Sequence, residues 1–344
     1  MSILQNETYD MQVKHAAGET LMSILESRPK LVAKKQMVEP ILKAIVELIA
    51  SGNSESAIFN FNEHNASTVG KGADDDDEDD DFDPEQQLQE LSQQCLDRMS
   101  LSIPSKYFSP PAMAIASQCL SSTDPRHRKA GLVLLGVIAE GCSDVLKTML
   151  SQVLPQLVAS TQDPESFVRE TACFALGQLS EHCQPDILYH HATILPAIFK
   201  VLEDVKPAVQ NTSCYVLEMF SENLQPETLT PLLDVLVNRL LTLVASAQPS
   251  TKEMALSALA ASSVAAEDKF LPYADACFKV IYPLMFNTES TLFSLRGRAL
   301  ECWGHIGLAI GKEQFTPYFE SGIQSAMAGI QLDDQLKEFA YIYF

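Results

Sequence analysis

The chain has 344 residues, 46% of them hydrophobic and 20% charged, with a formal net charge of −21 at pH 7. A chain this acidic repels nucleic acid and anionic lipid surfaces, which leaves basic proteins and basic segments as its natural partners. Its eight cysteines form no CxxC pair and fit free thiols of a reducing compartment better than a disulfide frame. The spacing of His182, Cys183, His190 and His191 matches no standard zinc pattern.

The N-terminal residues Asn6, Glu7 and Asp10 are polar and carry no signal-peptide core. The longest strongly apolar run, Gly131 to Ala139, is too short to span a bilayer, so a soluble, intracellular chain is expected. A first helix is predicted from Asp10 to Glu26 and a second from Leu31 to Ala50. Residues 51–83 then change character: they are polar and rich in Gly, Asn and Ser. They end in Asp74, Asp75, Asp76, Asp77, Glu78, Asp79, Asp80, Asp81 and Asp83, nine acids in ten residues. This stretch cannot bury enough apolar area to fold alone, and its charges repel one another, so a disordered insertion is expected. Its acidic run is the candidate binding element for basic partners. It lacks the spacing of a calcium loop.

Helical sequence resumes at Pro84, continues to about Leu101, and then repeats itself. Small residues recur at Ala130, Ala172, Ser213, Ala255, Ala299 and Ala340, with spacings of 42, 41, 42, 44 and 41. Ala17 and Ser92 extend the series upstream across the insertion. Three residues before the later small positions stand His127, Arg169, Gln210, Lys252, Arg296 and Lys337. Arg169, Lys252 and Arg296 are expected to form a ladder onto neighbouring carbonyls or acids. Asp124-Pro125 and Asp163-Pro164 place a capping acid before a proline at the first helical position. Leu135-Gly136, Leu176-Gly177 and Trp303-Gly304 follow the small residue, and Trp303, Phe199, Phe220, Phe278 and Phe286 are expected in the core. Second apolar helices are predicted over Val145–Ala159, Ile187–Leu202, Leu229–Val244, Leu271–Phe286 and Phe315–Ile330.

A fixed period of this length, carried by paired antiparallel helices, predicts an all-α HEAT-repeat α-solenoid, a right-handed superhelix. The expected layout is repeat helices over 1–50, the acidic insertion over 51–83 and continuing repeats over 84–344. The pattern is already running at the first residue and is cut within a predicted helix at Phe344, so a piece of a longer array is expected. Fingerprints of hydrolases, phosphate-binding loops, zinc proteases and dinucleotide enzymes are missing, so no catalytic, cofactor or metal residue is assigned and a non-enzymatic binding protein is expected.

The acidic segment DDDDEDDDFDPEQQL (74–88), together with SFVRETACFALGQLSEHCQP (166–185) and LRGRALECWGHIGLAIGKEQFTPY (295–318), resembles the karyopherin-β nuclear transport receptors, most of all the importin-4 branch. The resemblance implies a central portion of a monomeric import receptor shuttling between cytoplasm and nucleus through the nuclear pore. It implies basic cargo such as histones or ribosomal proteins, release by Ran-GTP, and weak contacts with FG nucleoporins. It also implies that the acidic run 74–83 serves cargo or Ran. The alternative is a HEAT scaffold subunit of a phosphatase or chromatin complex, which has less need of a long charged insertion.

Overall fold

The computed structural model describes Tyr9, residues 11–52 and residues 84–330. The acidic run 74–83, Lys337 and Ala340 lie outside the described residues. Among the described residues every regular element is helical. The chain divides into two compact units, Met1–Cys183 and Gln184–Phe344.

The first unit contains α1 (Met11–Ser27), α2 (Pro29–Lys34), α3 (Val38–Ser51), α4 (Pro84–Ser102), α5 (Ser105–Leu120), α6 (Pro125–Val137), α7 (Ser143–Ser160) and α8 (Ser166–His182). The helices α1, α4, α6 and α8 stack side by side in that order, while α3, α5 and α7 pack against them as companions. The two kinds of helix bury different faces. Companion α3 buries Val38, Ile41, Leu42, Ile45, Val46 and Ile49 along one stripe at helical spacing, widened at its C-terminal end by Leu48 and Ala50. Stacked α8 buries an unbroken run from Thr171 to Gly177 because it is covered on several sides, and its small Ala172, Ala175 and Gly177 make room for that.

The predicted helix Leu31–Ala50 is in fact two. It breaks at Lys35–Met37, where Gln36 adopts φ 55°. Pro40 explains the break: it lacks an N–H, and its ring would strike the carbonyl four residues earlier, that of Gln36. A second correction concerns Asp163-Pro164. Pro125 opens α6, and Asp124 caps it by accepting the Arg126 N–H at 2.9 Å. Pro164 instead lies in a turn, and α8 begins at Ser166. The Asp163 carboxylate accepts the Glu165 N–H at 3.0 Å while Arg128 grips both of its oxygens, and this holds the turn open.

The second unit contains α9 (His191–Val201), α10 (Pro207–Ser221), α11 (Pro226–Leu229), α12 (Leu233–Ser246), α13 (Pro249–Ala266), α14 (Leu271–Met285), α15 (Phe293–Ile310) and α16 (Lys312–Ile330). Here α10, α13 and α15 form the stack; α9, α12, α14 and α16 are the companions. Residues 226–246 are long and apolar enough to cross a membrane by length and composition. They are broken into α11, a short 3-10 turn and α12, and α12 packs on α13.

The repeat's small residues lie inside the stack. Ala130, Ala172, Ser213, Ala255 and Ala299 are each fully buried. In α1 the residue in that role is Gly18 rather than the half-buried Ala17: a Cβ on Gly18 would sit 2.8 Å from Leu91 of α4. Trp303 is 2% exposed, with its ring 4.4 Å from that of Phe278, and Phe199 and Phe220 are buried as expected. Phe286 is only half-buried and leans on Tyr282 at 5.0 Å. All eight cysteines are buried, and none is in a disulfide. Burial pushes the Cys277 thiol up to about 12 and the Cys95 thiol up to about 11, so neither is a ready nucleophile at neutral pH.

Candidate functional site

The arginine series bonds backbone carbonyls rather than exposing charge, and Arg128 also links one repeat to the next. Arg169 donates to the carbonyls of Asp163 and Pro164, both at 3.0 Å. In the preceding repeat that place belongs to Arg128, not His127: Arg128 donates to Ser122 and Thr123 and forks onto Asp163 at 2.8 and 2.9 Å. Gln210 reaches the Asp204 carbonyl at 2.8 Å. The bonds from Arg128, Arg169 and Gln210 each reach back six residues, so this register steps by 41 and 41 and places Gly131, not Ala130, at the tight position. Arg296 is buried and donates to the carbonyls of Asn287 and Ser325, both at 2.8 Å. Lys252 makes no such bond among the described residues: Thr251 beside it is buried, and the lysine is left half-exposed. His127 instead lies between Glu47 and Asp124, at 3.4 and 3.5 Å.

The remaining polar side chains of the stacked helices form two charged faces, one in each unit. In the first unit, Arg98 of α4 lies between Glu19 and Glu26 of α1, at 3.5 and 3.8 Å. Burial holds the Asp97 carboxyl above its usual range; Glu140 adds to the rise, and Arg98 and His182 oppose it. Lys129 of α6 and Glu170 of α8 interact along the same stack. Burial lowers the lysine and raises the glutamate, and each partly offsets the other's shift.

The second unit carries the denser face. Glu218 of α10, Glu253 of α13, and Arg298 and Glu301 of α15 come together there. Arg298 bonds Glu301 at 2.8 Å, and the Ser294 hydroxyl donates to Glu253 at 2.8 Å. Burial pushes the Glu218 carboxyl up to about 7; Arg298 pulls against this, and Glu301 and Glu222 add to the rise. Burial also raises Glu253, opposed by the Ser294 bond and by Arg298. Burial works against the Arg298 charge, but Glu301, Glu218 and Glu253 together keep it protonated. Three carboxylates therefore share one guanidinium, a local shortage of positive charge that a cationic side chain would relieve.

None of these carboxylates was singled out from the sequence. A signal was available: Glu140, Glu181 and Glu222 recur at intervals of 41 and are all exposed. The nine residues that were singled out, 74–83 without Phe82, lie outside the described residues.

Stacked helix pairs at this interval define the HEAT-repeat α-solenoid class, and residues 125–179 match the HEAT-like repeat family. Importin subunit beta-3 of Saccharomyces cerevisiae is 32% identical over 263 residues, 75% of this chain and 24% of that protein. The probable importin subunit beta-4 of Schizosaccharomyces pombe is 29% identical over 74% of this chain and 24% of its own length. The karyopherin Kap121p, solved with the extreme C-terminus of the protein phosphatase Cdc14p, matches 98% of this chain and 32% of its own, with a TM-score of 0.84 and 27% identity. The same karyopherin solved with Nup53p matches at 0.83 and 28%. The chain is thus homologous to the karyopherin-β importins. It spans about a quarter of the length of these curated relatives.

Proposed function

We propose that this chain is part of a nuclear import receptor that binds basic segments of cargo proteins, such as histones or ribosomal proteins. In this reading it is not an enzyme: its carboxylates attract and hold cations, and it shuttles between cytoplasm and nucleus. Release by Ran-GTP and weak contacts with FG nucleoporins belong to the same reading. The observation that carries it is the likeness across 98% of the chain to a karyopherin solved bound to other proteins, among them Pho4p, Ulp1p and Nup53p. The undercompensated carboxylates of the second unit agree with it, since a half-buried shortage of positive charge favours a lysine or arginine from outside.

The test is retention of a lysine-rich histone-tail peptide and of an FG-repeat peptide on the immobilised chain, with and without GTP-bound Ran. Retention of both, with the basic peptide lost on adding Ran-GTP, is the expected result. Failure to retain the basic peptide at low salt would overturn the reading.

A further inference from the structure

Against an acidic background, residues 28–35 carry four cations, Arg28, Lys30, Lys34 and Lys35, and no acid. They occupy the turn leaving α1 and the short α2, and all four are exposed. None of the four has an ion pair among the described residues. The nearest acids in sequence are taken: Glu26 faces Arg98 at 3.8 Å, and Glu39 pairs with Lys43 at 2.7 Å. Ser27, Arg28, Pro29, Lys30, Leu31 and Lys34 line an open cavity of about 360 Å³ here. Ile24, Leu31 and Met37 flank it, each about half exposed. The patch is therefore cationic with an apolar border.

We propose that this patch is the docking surface for the chain's own acidic run, residues 74–83. Charge complementarity is the first argument: the run carries nine acids, and the patch carries four bases with no ion pair among the described residues. The tether is the second. The run ends one residue before α4, and α4 lies alongside α1 with Leu91 against Gly18 and Arg98 beside Glu19 and Glu26. That register puts Pro84 level with the start of α1 and the patch at its far end, about 25 Å away at 1.5 Å per residue. Ten extended residues cover roughly 33 Å, so the leading half of the run reaches the patch while Asp83 stays joined to α4. Linkage on one chain makes the encounter intramolecular and raises the effective concentration. Contacts between exposed charges are weak and salt-sensitive, so the docking is reversible and a basic ligand that engages the run competes with it.

Zero-length carbodiimide cross-linking of the full chain, read by peptide mass spectrometry, tests the proposal. Lys30, Lys34 and Lys35 should link to acids of residues 74–83, with a yield falling roughly five-fold between low salt and about 0.5 M salt. Lys43–Glu39 and Lys279–Asp275, each 2.7 Å apart, are the internal controls. Replacing residues 74–83 by Ser and Gly should speed amide exchange across residues 24–37. The proposal is overturned if the controls link and the patch does not. It is equally overturned if, in a mixture of light and isotope-labelled chains, the patch links only between different molecules, or if the Ser/Gly variant leaves exchange unchanged.

Discussion

At the scale of single residues, two side chains have measurable consequences. Arg128 makes a two-pronged bond to Asp163 and supports two carbonyls, all within the first unit. Arg128→Ala strands a carboxylate that is only 9% exposed. The expected loss is about 1–3 kcal/mol in urea denaturation, and Asp163→Ala should add little on top of it, because the two act as one bond. Glu218 behaves differently. Its folded-state pKa of about 7 lies above the ordinary 4.5, so the folded form holds the proton more tightly. Its favourable contribution is complete below about pH 4.5 and is lost as pH rises through 7. Glu218→Gln should therefore gain stability over wild type across that window, by at most about 3 kcal/mol, and pH-dependent melting curves will show whether the two proteins converge at low pH.

At the scale of helices, glycines set how closely the stacked members approach. A Cβ on Gly136 of α6 would lie 2.5 Å from the Phe174 ring and 3.3 Å from the Ala175 backbone on α8. Gly136→Ala should cost about 1–3 kcal/mol and lower the melting temperature, whereas an alanine in open helix surface would raise it. This level was the most legible in the sequence. Predicted Asp10–Glu26 became Met11–Ser27, and predicted Leu271–Phe286 became Leu271–Met285, because apolar spacing at a fixed period is a strong signal. The misreadings have local causes. Pro40 breaks a helix that reads as continuous, and Arg128 had to be told from its neighbour His127, which only the carbonyl register separates. The charge cluster of Glu218, Glu253, Arg298 and Glu301 was not legible. Its members come from three helices and become neighbours only when those helices stack.

At the scale of the molecule, charge is the governing quantity. Replacing residues 74–83 by Ser and Gly lowers the net charge from −21 to about −12. Fluorescence anisotropy with a basic peptide should then show weaker binding and a shallower dependence on salt. An unchanged slope would mean that the run never meets the peptide. The position of that segment has a further consequence. Gly52, just past α3, abuts the Gln89 side chain of α4, so the points where the chain leaves and rejoins the stack lie side by side. Closing such a loop costs only about 0.6 kcal/mol more for each doubling of its length. A fluorescent reporter spliced between residues 52 and 84 would hang from adjacent anchors, and the helices on either side would keep their alignment.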